Sequence, residues 1–214
     1  MKPTPYRTID TAGQVTAVIT QAIEPDQLGP TSREIMAKNP TIEQVGYLNG
    51  NQFTMMGGEL SINGLIAASY LLNQSGTVNG YPFIVKQSQI SLTLPISIVL
   101  ETSNNIIQLQ GIAYQITPEL RTTQKIPPST RKWLQKLSSD SRASGLIYYS
   151  RNKIQPLVYV PTTNTYVWEN ACGSGSLAFS LATGIRRILQ PSGQIIRFSI
   201  TKKNITVTAA VKEV

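Results

Sequence analysis

The order of elements written between residues 25 and 72 is written again between 128 and 183, and this internal repeat constrains the fold more than any local signal does. In the first copy a helical stretch (25–38) leads to a strand (44–48), a turn at Asn49-Gly50-Asn51 and a second strand (52–56). The segment Gly57-Gly58-Glu59-Leu60-Ser61-Ile62-Asn63-Gly64 then opens an apolar helix that runs to Leu72. In the second copy a helix (128–137) precedes a strand (145–149), a turn (150–153), strands at 155–160 and 166–168, then Cys172 and an apolar helix to about Thr183. A spacing of 111 residues pairs Ser61 with Cys172, Gly64 with Gly175, Ala67 with Ala178 and Ser69 with Ser180. Identity between the copies is thin, so the order of elements carries the repeat.

Each apolar helix (65–72 and 177–182) lacks a polar face, and a helix apolar all round has to be enclosed. Alternating segments at 15–19, 83–85, 90–94, 106–110, 195–200 and 205–211 supply the enclosing strands. The expected fold is therefore α/β (α+β). Two pseudo-symmetric lobes, 1–100 and 101–214, each wrap a mixed β-sheet or barrel round one central apolar helix, with the last strand returning to the N-terminal lobe. If the lobes face each other across a pseudo-two-fold, both helix N-termini point at one cleft, with Ser61 on one wall and Cys172 on the other.

At 214 residues, 41% hydrophobic and 14% charged, the chain is long and apolar enough to bury a proper core. One cysteine excludes an internal disulfide framework, and with no histidine there is no expected zinc or redox-metal cluster, so the chemistry is expected to be metal-free. No apolar run reaches the roughly 18 residues of a membrane span, and MKPTPYRTID lacks the apolar core of a signal peptide. The expectation is a cytoplasmic protein that engages no membrane. The net charge of +8 suits an anionic partner, but Lys and Arg fall in short groups without the aromatic interleaving of a nucleic-acid module. No glycine-rich nucleotide loop is present.

The lone cysteine sits in Val167-Trp168-Glu169-Asn170-Ala171-Cys172-Gly173-Ser174-Gly175-Ser176, at the mouth of the second apolar helix. Backbone N–H groups at a helix N-terminus attract anions and favour a thiolate, so Gly173 and Ser174 are expected to hold a substrate carboxylate beside a Cys172 of lowered pKa. The plain alternative is a buried cysteine packed as a small hydrophobe.

These residues resemble the diaminopimelate-epimerase-like superfamily of cofactor-independent racemases, epimerases and isomerases, and within it most closely the histidine racemases of staphylopine-type metallophore pathways. The resemblance is carried by Gln155-Pro156-Leu157-Val158-Tyr159-Val160-Pro161 followed by Trp168 to Gly175, and by Ala12-Gly13-Gln14-Val15-Thr16, Glu43-Gln44-Val45-Gly46-Tyr47 and Gln190-Pro191-Ser192-Gly193. It implies an amino acid or related carboxylate as substrate, no cofactor, a dimer as a common assembly, and two thiols facing each other across the substrate α-carbon. Cys172 matches the second thiol. Where the family has Cys-Gly-Asn for the first, this chain has Ser61-Ile62-Asn63, and Gln14 stands where an asparagine is common. A serine hydroxyl is a far poorer base than a thiolate.

The resemblance also offers carboxylates in place of the missing thiol. Glu43 occupies the place of the acid or base glutamate in isomerases resembling the phenazine-biosynthesis family, and Glu169 stands three residues before Cys172, where those isomerases carry an aspartate. Three readings follow. The first is an amino-acid racemase or epimerase with Cys172 on one face and Ser61, Glu43 or Glu169 assisting, and with Gln14, Asn63, Gly173 and Ser174 binding substrate. The second is a one-base isomerase or dehydratase, and the third a binding protein that has lost a catalytic thiol.

Overall fold

The computed structural model describes residues 4–103 and 105–214. β1 (Tyr6–Thr11) and β2 (Gln14–Ile19) form a hairpin, α1 (Pro25–Lys38) crosses over to β3 (Gln44–Asn49) parallel to β2, and β4 (Gln52–Met55) returns antiparallel. α2 (Ile62–Leu72) follows, then β5 (Gly76–Val78), β6 (Tyr81–Lys86) and β7 (Gln89–Pro95). The second half begins with β8 (Val99–Ser103), β9 (Ile106–Leu109) and β10 (Ile112–Pro118). There α3 (Pro128–Leu137) crosses over to β11 (Ala143–Ser150), again parallel to the strand before the helix. β12 (Lys153–Val160), β13 (Thr165–Trp168), α4 (Gly173–Thr183), β14 (Arg187–Leu189), β15 (Ile195–Ile200) and β16 (Asn204–Glu213) complete the chain. The result is a mixed α/β fold with four α-helices and one 16-stranded sheet among the described residues.

Strands β4-β3-β2-β1 and β12-β11-β10-β9 lie in the same relative order in the two halves. β16 joins them, pairing with β1, β7 and β15. The β1–β2 turn has Ala12 and Gly13 both at positive φ (53° and 97°), the twist that a two-residue hairpin needs. Only glycine fits the second position, because a Cβ on Gly13 would stand 2.2 Å from Ser192 Cβ.

The two apolar helices are enclosed. α2 is buried from Ile62 to Ser69 against β1, β2, β5, β7 and β16, and α4 from Gly173 to Ser180 against β9, β10, β11 and β15. Each ends on a left-handed cap, Asn73 at φ 60° and Gly184 at φ 80°. α1 and α3 lie outside the sheet with one buried stripe each. No helix is long and apolar enough to cross a membrane.

Candidate functional site

Both apolar helices begin at the same place. Ser61 is the N-cap of α2, its Oγ accepting from the Gly64 N–H at 3.0 Å. Cys172 is the N-cap of α4, its Sγ accepting from the Gly175 N–H at 3.2 Å. The caps sit at the repeat spacing and are satisfied in the same way.

The helix mouths touch. Ile62 N–H donates to Ser174 Oγ (3.1 Å), which donates to Leu60 O (2.9 Å). A Cβ on Gly173 would lie 2.8 Å from Ile62 Cβ and 2.7 Å from Asn63 Oδ1, so glycine at 173 is what lets α4 approach α2.

Between the caps lies a small cavity of about 20 Å3, lined by Ser61, Gln44, Glu59 and Leu60 on the α2 side and by Cys172, Gly173, Ser174, Glu169 and Tyr114 on the α4 side, and by Gln14. Room of this size holds about one water molecule. A second, larger pocket of about 450 Å3 shares Glu59, Leu60 and Ser61 with it, and extends past Phe53, Tyr81 and Arg142. The segment 59–61 thus borders both the small cavity and the larger pocket.

Cys172 is held from several sides. Its N–H donates to Gln190 Oε1 (3.0 Å), and Gln190 Nε2 donates to Ser176 Oγ (2.9 Å) on the same helix. Ser192 N–H donates to Asn170 O (3.0 Å) and Ser192 Oγ to Ala12 O (2.6 Å). The segments Ala12-Gly13-Gln14 and Gln190-Pro191-Ser192-Gly193 therefore meet behind the thiol. Tyr114 OH lies 3.5 Å from Sγ, and Gly145 is small because a Cβ there would stand 2.4 Å from the Tyr114 ring.

The electrostatics correct one expectation. Burial, then the neighbouring Glu169, push the Cys172 thiol well above its ordinary pKa, overcoming the helix N–H that pulls it down. Glu169 is itself pushed up to about 8 by burial, against the opposing hydrogen bond from Cys172, and its Oε2 has no partner. At neutral pH the pair therefore holds its protons.

The expected site residues divide. Cys172, Ser61, Glu169, Gln14, Gly173 and Ser174 line the cavity. Glu43 and Asn63 do not. Both Glu43 oxygens are occupied by Asn170, accepting from its N–H (2.9 Å) and its Nδ2 (2.6 Å), so this carboxylate braces the segment that carries Glu169 and Cys172. Burial raises Glu43 to about 7. Asn63 lies behind the wall, donating through Nδ2 to Gln14 Oε1 at 2.8 Å and so orienting that amide. Ser61 Oγ donates to Gln44 Oε1 (2.9 Å), and Gln44 Nε2 to Thr16 Oγ1 (2.7 Å). An amide oxygen is no base, so this chain carries no proton away from Ser61.

Glu59, Tyr114 and Gln44 also line the cavity, and the sequence pattern did not mark them. A glutamate two residues before the first helix cap was the one visible signal for Glu59; for Tyr114 there was none, since only the β10–β11 register places it over Gly145. Among the described residues no group of three or more His, Cys, Asp or Glu is arranged to hold a metal ion.

The fold that carries these two buried helices is shared with solved structures of low sequence identity. A protein from Pseudomonas aeruginosa described as a predicted epimerase superposes with a TM-score of 0.64 at 13% identity, over 98% of this chain and 96% of that one. A phenazine-biosynthesis PhzF-family protein from Enterococcus faecalis superposes at 0.60 and 11%, over 97% and 95%. The sequence is more specific. The family model described as the histidine racemase CntK N-terminal domain matches residues 85–213, more than half of the chain, and the chain belongs to that family. It is 22% identical to the histidine racemase of Staphylococcus aureus strain Mu50, over 86% of this chain and 84% of that protein, which makes the kinship distant.

Proposed function

We propose that this protein is a cofactor-independent racemase or epimerase that moves a proton at the carbon next to the carboxylate of an amino acid. The observation that carries the reading is the Cys172 thiol at the mouth of one buried helix, with Glu169 beside it, facing the mouth of a second buried helix across one cavity. The reading treats the halves 1–100 and 101–214 as pseudo-symmetric lobes that share β16.

The first N–H groups of a helix have no partner within it, so those of Gly173 and Ser174 are donors for the substrate carboxylate. They act most strongly when the α-proton leaves and negative charge spreads onto that carboxylate as an enediolate. Cys172, protonated in its buried setting, is the donor on its face, and Glu169 is the group through which it regains a proton. The cavity is far smaller than an amino acid, so substrate binding widens it toward the larger pocket with which it shares residues 59–61.

One-sided proton transfer, as in an isomerase or dehydratase, is the second reading. Its support is the Ser61 hydroxyl, tied between Gly64 and an amide that takes no proton. Incubation with a panel of L- and D-amino acids in D2O separates the readings. A racemase places deuterium at the α-carbon of both enantiomers and inverts them. A one-base enzyme labels one enantiomer or yields a new product, and absence of label across the panel leaves a binding protein.

A further inference from the structure

We propose that Glu59 is the second acid–base residue of the cavity, serving the substrate face opposite Cys172. This deepens the racemase reading and rests on it.

A reaction that inverts a carbon centre needs a proton acceptor on one face and a donor on the other. Ser61 holds the place opposite Cys172 in the repeat, but its hydroxyl is closed into Gly64 N–H and Gln44 Oε1, and the Gln44 amide leads only to Thr16. The proton must go elsewhere. On that wall the one carboxyl among the cavity-lining residues is Glu59, two residues before the α2 cap. It is 8% exposed, no salt bridge reaches it, and its buried Oε2 has no hydrogen-bond partner in the protein. A buried carboxylate oxygen left without a donor is costly to keep, and a site that keeps one has a use for it.

Position strengthens the case. Glu59 lines the small cavity and the larger pocket alike. Gly111, at φ 79°, would bring a Cβ within 3.3 Å of the Glu59 Cα, and Gly57 would bring one within 2.5 Å of its Oε2, so two glycines leave the room that Glu59 occupies. The titratable groups that face it are Arg142, Glu169 and Tyr114. Burial raises Glu59 to about 7, with its own backbone N–H and that of Gly57, then Arg142, drawing it down, while the Cys172 thiol is pushed well above its ordinary value. At neutral pH one wall therefore presents a substantially ionised carboxylate and the other a protonated thiol, an acceptor and a donor set apart by environment.

In one direction the Glu59 carboxylate takes the α-proton. Its O–H bond forms as the C–H bond breaks, and the electron pair delocalises into the substrate carboxylate as an enediolate. The Cys172 S–H then protonates the opposite face, leaving a thiolate. Reaction of the other enantiomer runs the same steps backwards and restores both groups.

The test compares wild type, Glu59→Gln, Glu59→Asp and Cys172→Ala with each enantiomer of a responsive amino acid in D2O, following inversion and α-deuterium separately across pH 5.5–9. Glu59→Gln keeps shape and burial, and its circular dichroism checks the fold. The proposal expects Glu59→Gln to lower inversion by about 10²-fold or more and to remove the activity rise near pH 7, with Glu59→Asp restoring part of both. Glu59→Gln that inverts at the wild-type rate, or that keeps the wild-type pH profile, overturns the assignment and leaves the racemase reading standing. A wild type that labels no amino acid overturns the racemase reading, and this proposal with it.

Discussion

A carboxyl group buried beside a thiol leaves a signature in stability as well as in chemistry. Folded Glu169 binds its proton up to a pH of about 8, against 4.5 for an ordinary glutamate, so the fold is favoured by keeping it protonated. That contribution is complete below about pH 4.5 and is lost as pH rises through 8; Glu43 and Glu59, both raised to about 7, act with the same sign. Thermal melts from pH 5 to pH 9 should therefore fall with pH. Glu169→Gln, which cannot ionise, should recover on the order of 2–4 kcal/mol of the alkaline loss. In the proposed reaction Cys172→Ala should lower turnover by about 10²-fold or more, measured as α-proton exchange. The thiol and its serine counterpart were legible because glycine and small polar residues before an apolar run mark a helix mouth. Glu59 was not, since an isolated glutamate in a Gly-Gly-Glu turn reads as solvated until packing shows it buried and without a partner.

At the level of elements, the contact between α2 and α4 accommodates Ile62 where the family resemblance led to a glycine beside Ser61. Ile62 is fully buried, and its side chain fills the space that Gly173 leaves. Gly173→Ala should force the helix mouths apart at a cost of about 1–3 kcal/mol, read from denaturant midpoints. Ile62→Gly should cost about 3 kcal/mol or more through the cavity it opens, so Ser61→Cys with Ile62→Gly will need its stability measured before its activity is interpreted. The two helices were readable from sequence because they are apolar on every side. β10 was not read as a strand, because its role comes from pairing with β9 and β11 rather than from a pattern of its own. With it went Tyr114.

Across the whole molecule, β16 makes the two halves one cooperative unit. Ile205 is fully buried and stands opposite Leu94 of β7 and Ile200 of β15, so one side chain packs into the sheet surroundings of both halves. Ile205→Ala should cost about 2–5 kcal/mol and lower the hydrogen-exchange protection of α2 and α4 amides together. Loss of protection in one helix alone would show two separately unfolding halves. The same strand sets a schedule for synthesis. β1, β7 and β15 are all made before residues 204–213, and until those emerge each has an unpaired edge of the kind that recruits other chains. A nascent chain stalled just short of them would expose sheet edges from both halves at once, an aggregation hazard that ends only when β16 pairs.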